Sequence, residues 1–193
     1  MSNFAFQLGR TGSKNKFIMR RQVFSWSGEV GDLGTFTIVY PTEPTDVGTS
    51  KLRAAVAHNG AELATYLGAT HNGHPSLRAA EVSIGSTPIS LSRNTRDVSR
   101  KSRGLSITFS GREYAYVEVV SKRKHALSRS GASVRLTRST WKNPHTIRGQ
   151  AEGAVDVADI GIALLLECVY TRNLSLRGAF FCSAGRFMDE ISS

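Results

Sequence analysis

The stretch from Asp156 to Tyr170, DVADIGIALLLECVY, limits what this chain can fold into more than any other. Ile160, Ile162, Leu164, Leu165 and Leu166 leave almost no polar side, so a helix here has to be covered all round. Asp156 is placed to cap its start, and Asp159 three residues on puts a second acid at the positive end of the helix dipole. Arg172 and Asn173 suit its close, which gives a helix over about 156–172. The uninterrupted run, Ile160 to Leu166, is far shorter than the ~20 apolar residues that span a bilayer. Asp159 and Glu167 bound it, and an acid at the centre of a membrane helix costs on the order of 3 kcal/mol. The stretch therefore reads as a core helix that needs apolar surface from the rest of the chain.

That surface comes from strands. Phe17 to Trp26 and Thr35 to Tyr40 are rich in aromatic and β-branched residues, with Gly28, Gly31 and Gly34 between them. A loop from Pro41 to Ser50 follows, then strands over Lys51 to Ala57 and Ala61 to Ala69, a tight turn over His71 to Pro75, and a β stretch from Ala80 to Leu91. Within that last stretch Pro88 fits only an edge or a bulge. Leu105, Ile107 and Phe109 alternate with Ser106, Thr108 and Ser110, and Gly111-Arg112 suits a type II′ turn into Glu113 to Val120. That turn pairs Phe109 with Tyr114 and Ile107 with Tyr116. A second hairpin turns about Ser130-Gly131, with Val134 and Leu136 on its inner face, and Thr146 to Ala151 is the last strand before the helix. The chain has no βαβ alternation. The fold class is mainly β: a closed antiparallel barrel or strongly curved sheet around one buried hydrophobic C-terminal helix. Residues 1–16, short of aliphatic side chains and carrying Arg10, Lys14 and Lys16, read as a flexible basic arm, and 17–193 as a single domain.

A basic β meander that leads into one nearly all-apolar helix, DVADIGIALLLECVY, resembles the tubby C-terminal-like group, which includes the LURP-one-related and phospholipid-scramblase-type domains. The resemblance is architectural and spans about Phe17 to the C-terminus. It implies a closed barrel of about twelve strands around a central helix, and a non-enzymatic domain; in tubby proteins, surface Lys and Arg bind phosphorylated inositol lipids. No residue of that lipid site can be matched to a position here, and the sequence shows no calcium-binding segment of the scramblase kind.

Several chemistries find little support. Gly9-Arg10-Thr11-Gly12-Ser13-Lys14 lacks the spacing of a phosphate loop and follows no expected strand. His71 and His74 have the spacing of a metal pair, yet they sit in a Gly-Pro loop without a third ligand nearby, so no metal and no cofactor is expected. His58, His125 and His145 are single and read as structural. Cys168 and Cys182, both in apolar runs, read as buried reduced thiols. No GxSxG elbow is present. Asp156 and Asp159 are best explained as helix-start acids, and Glu167 as an acid that finds a basic partner; an enzyme would have to assemble its site in three dimensions.

The charge carries the functional signal. The chain has 25 Lys and Arg against 15 Asp and Glu, and 14 of the basic residues, against three acids, lie between Arg93 and Arg148. Arg100, Lys101 and Arg103 form one cluster and Lys122, Arg123 and Lys124 another, both expected in connections at the same end of the meander. Six cations there suit an anionic partner: a phospholipid surface, nucleic acid or an acidic protein. The N-terminus lacks the apolar core of a signal peptide, so a cytoplasmic protein, able to sit at the periphery of a membrane, is expected.

Overall fold

Alternation of apolar and polar residues at period two builds most of the described part of this protein. In the computed structural model of the chain, residues 3–11, 17–18, 21–22, 24–42, 51–71, 74–75, 80–93, 104–121, 123–140 and 144–168 are described. The strands are β1 (Phe4–Thr11), β2 (Phe17–Ile18), β3 (Arg21–Gln22), β4 (Phe24–Glu29), β5 (Thr35–Thr42), β6 (Lys51–His58), β7 (Ala61–His71) and β8 (His74–Pro75). They continue as β9 (Glu81–Ile84), β10 (Thr87–Pro88), β11 (Ser90–Arg93), β12 (Leu105–Phe109), β13 (Arg112–Glu118), β14 (Lys124–Arg129), β15 (Ala132–Arg138) and β16 (Thr146–Gly153), and the helix is α1 (Val157–Cys168).

Thirteen of these strands form one continuous path in the order β10-β9-β7-β6-β5-β4-β1-β16-β15-β14-β13-β12-β11, with β8 attached to β7 and with β2 and β3 paired apart. Every pairing along the path is antiparallel. The two ends of the path, β10 and β11, are separated in the chain by a single residue, Ile89. Its N–H donates to the Val82 carbonyl at 2.7 Å, while the next residue, Ser90, is already paired with Thr108 on the other edge. One short stretch thus nearly closes the sheet into a barrel, and Pro88 sits on an edge strand, where its missing N–H does no harm.

The inward positions are apolar in strand after strand: Leu8, Ile38, Val56, Tyr66, Ile107, Leu127, Val134 and Leu136 are all buried. Helix α1 fills the space they leave. It touches β5, β6, β7 and β9 from one part of the sheet and β14 and β15 from the other, and each residue from Asp159 to Glu167 is buried. Gly161 lets β7 come close, because a Cβ there would press on Leu63. The helix starts with a capping box: the Asp159 N–H donates to Asp156 Oδ1 and the Asp156 N–H to Asp159 Oδ2, each at 3.0 Å.

Three expectations are corrected. Residues 4–11 are not a flexible arm: β1 lies in the middle of the path between β4 and β16, because Phe4, Phe6 and Leu8 alternate inward and Phe6 covers Gly149, where a Cβ would collide with its ring. The stretch Phe17 to Trp26 is divided among β2, β3 and β4 and is not one strand. The β12–β13 hairpin turns at Ser110-Gly111, whose φ values of 49° and 74° give the type I′ twist, so Ile107 faces Tyr114 and Leu105 faces Tyr116. The pairing moves by two residues, which leaves both tyrosines inside. The helix is observed to Cys168; Arg172, Asn173 and Cys182 lie outside the described residues.

Candidate functional site

The strand directions give the barrel two unlike ends. At one, which we term the turn end, the links are short: Gly31–Leu33, Asn59-Gly60, Gly85-Ser86, Ser110-Gly111, Ser130-Gly131 and the step from β16 into α1. At the other, the connection end, β1 leads to β4, β5 to β6, β7 to β9, β11 to β12, β13 to β14 and β15 to β16. By sequence, the links at the turn end hold two acids, Asp32 and Asp156, and no Lys or Arg. Those at the connection end hold Lys14, Lys16, Arg20, Arg21, Arg78, Arg96, Arg100, Lys101, Arg103, Lys122, Arg123 and Lys142, against Glu43, Asp46 and Asp97. Both predicted basic clusters thus belong to links at one end, since Arg93 pairs with Leu105 where β11 gives way to β12, and Glu118 pairs with His125 where β13 gives way to β14.

Of the six predicted anion-binding residues, Arg123 and Lys124 are described and exposed; Arg100, Lys101, Arg103 and Lys122 lie outside the described residues. Arg123 is steadied from behind, its Nη1 donating to the Ser139 carbonyl at 3.3 Å. Lys124 opens β14, and its N–H closes the preceding turn onto the Ser121 carbonyl at 2.8 Å.

Three other arginines of the basic stretch do a different job. Asp159 on α1 accepts Tyr114 Oη at 3.1 Å and Arg129 Nε at 2.9 Å on Oδ1, and Arg129 Nη2 at 2.8 Å with the Asp156 N–H at 3.0 Å on Oδ2. Those four donors use the lone pairs a carboxylate has. Arg112 pairs with Asp156 beside it and lies 3.9 Å from Asp159. At the far end of α1, Glu167 Oε1 accepts Tyr116 Oη and His125 Nδ1, each at 2.8 Å, and Oε2 accepts Arg138 Nε at 2.5 Å. Arg138 also holds the Glu167 carbonyl, and the Tyr116 and His125 rings stack. Burial alone would push the Glu167 carboxyl up, but His125 and Arg138 together hold it well below the usual carboxylate range.

Neither acid is set up for catalysis. Asp159 borders a dent with no room for a water molecule, lined by Tyr114, Leu127 and Arg129 among others, and a carboxylate already clamped by a guanidinium is a poor base. A histidine oriented by Glu167 with Cys168 next in the chain has the composition of a nucleophilic triad, yet burial pushes the Cys168 thiol up to about 12. The thiol stays protonated at neutral pH. His71 and His74 face each other across the β7–β8 pairing; their side chains lie outside the described residues. Among the described residues no group of three His, Cys, Asp or Glu could hold a metal ion.

Glu167 does find basic partners, and His125 is structural, as the sequence suggested. Sequence reasoning missed that Arg129 and Arg138 turn inward and that Arg112, still exposed, pairs with the acid at the helix start. The signal was available: each lies two residues along a strand from an inward residue, Tyr114, Leu127 and Leu136 respectively. No protein-family model, curated protein or solved structure matches the chain. Among the described residues no helix is long and apolar enough to cross a membrane.

Proposed function

We propose that this protein is a non-enzymatic binding module that engages an anionic, phosphate-bearing surface, a phospholipid membrane first, with the connection end of its barrel. The charge difference between the two ends carries this reading: the basic links gather on one end, while the links at the other hold acids and no Lys or Arg. The paired arginines sharpen it. Arg112, Arg129 and Arg138 are engaged by the helix acids, whereas Arg123 and Lys124 of the second cluster are exposed. The resemblance to tubby C-terminal-like domains belongs to the same proposal, since in tubby proteins surface Lys and Arg bind phosphorylated inositol lipids.

The experiment is vesicle binding with anionic and neutral phospholipids at two salt concentrations. Binding to anionic vesicles alone, weakened by salt and by Arg123→Ser with Lys124→Ser, is expected. Equal binding to both vesicle types, or to neither, overturns the membrane reading. A steep salt slope on DNA or RNA without vesicle binding would assign the same end to nucleic acid.

A further inference from the structure

We infer that the β13–β14 tip is a membrane-contact wedge, in which Val119 and Val120 enter the interfacial layer of an anionic phospholipid bilayer while Arg123 and Lys124 meet its phosphates. The inference rests on the anionic-surface reading and names its partner and contact point. Val119 and Val120 are 39% and 67% exposed, and they are the large hydrophobic residues that stand exposed among the described residues. A single exposed aliphatic residue needs no explanation. Two in succession at a hairpin tip do, because turn chemistry favours Gly, Asn, Asp and Ser there. The tips at the turn end follow that preference, with Asn59-Gly60, Gly85-Ser86, Ser110-Gly111 and Ser130-Gly131.

The tip is also held in shape. The Val119 N–H donates to the Lys124 carbonyl at 2.9 Å and the Lys124 N–H to the Ser121 carbonyl at 2.8 Å, so the backbone that carries the valines and the two cations is fixed. Behind them, Arg138 donates its backbone N–H to the Arg123 carbonyl at 2.9 Å. A nucleic acid offers phosphates to Arg123 and Lys124 but no apolar layer for two aliphatic side chains. A bilayer offers both, phosphates outside and hydrocarbon beneath. One weak apolar anchor gives only marginal membrane binding, and stable attachment takes an apolar and a basic signal together. This tip has both within six residues, Val119 to Lys124.

The test uses the full chain and phosphatidylcholine vesicles with and without phosphatidylserine. Val119→Ser with Val120→Ser is expected to weaken binding to the phosphatidylserine vesicles by roughly tenfold while leaving the salt slope as it was. Arg123→Ser with Lys124→Ser is expected to reduce the slope instead. In a separate V120W variant, the added indole fluorescence is expected to shift to the blue on the same vesicles. If the doubly serine-substituted valine variant binds as wild type, or the V120W spectrum does not move, the wedge is overturned while the anionic-surface reading stands. If wild type binds neither vesicle type, both fail. Binding that depends equally on the valines but goes to an acidic protein and not to vesicles would overturn the bilayer as partner.

Discussion

Asp159 and Glu167 lie eight residues apart on one helix, about 12 Å along its axis, and both are buried carboxylates held by a tyrosine of β13 and an arginine. Their surroundings differ. Arg129, the partner of Asp159, keeps two further acceptors, the carbonyls of Ala154 and Ser130 at 2.7 and 3.0 Å. Glu167 has no exposed side-chain surface and joins two basic groups, His125 and Arg138, deep at the connection end. The comparison teaches that similar polar anchors serve unequal roles: one ties the helix start to the turns, and the other balances charge inside the barrel.

Removing the carboxylate tests that inequality most directly. Glu167→Ala would take from His125 and Arg138 the carboxylate that both contact, and breaking a buried pair in this way costs about 3–5 kcal/mol. Urea unfolding should show a midpoint shift of that size. Asp159→Ala should cost less, about 2–3 kcal/mol, because Arg129 retains two carbonyls. Equal losses for the two variants would remove the distinction drawn above.

Acid tests the Glu167 anchor by another route. The Glu167 carboxyl is held below its usual 4.5, so its stabilisation is fully present above that pH and is lost progressively as the pH falls through the lowered value. Below about pH 4.5 each pH unit should remove up to ~1.4 kcal/mol for this group. Wild type should therefore lose more stability between pH 5 and pH 3 than Glu167→Ala does, as measured by unfolding at each pH. Parallel losses would mean that other carboxylates control the acid response.

The unequal anchors also show where reading the sequence succeeds. The helix was legible because five large aliphatic residues between two acids leave no polar face, and the acids at its start announced a cap. The later hairpins were legible through alternation. The role of β1 was not, because its pattern of Phe4, Phe6 and Leu8 is short and its partner β16 lies far along the chain, with Phe4 opposite Ala151. The arginines were counted only as charge for a related reason: Arg129 and Arg138 meet their acids across 30 and 29 residues, so a local count says nothing of their partners. Strand parity places them inside. The basic clusters could be named from sequence, but only the strand order shows which end of the barrel their links belong to.

The smallest effect concerns the outermost part of the Asp159 anchor. Asp156 caps α1 by accepting the Asp159 N–H at 3.0 Å, and it also pairs with Arg112, whose side chain is 44% exposed. Asp156→Ala removes both interactions, and loss of the cap alone costs about 1 kcal/mol. Asp156→Asn keeps a side-chain oxygen for the cap and gives up the charge beside Arg112. Because an exposed pair contributes little, the asparagine variant should unfold close to wild type in urea, and the alanine variant should not. If the two variants fall together, the charge at Asp156 matters more than its hydrogen bond, and the helix start would then be held by electrostatic attraction in the same way as its buried end.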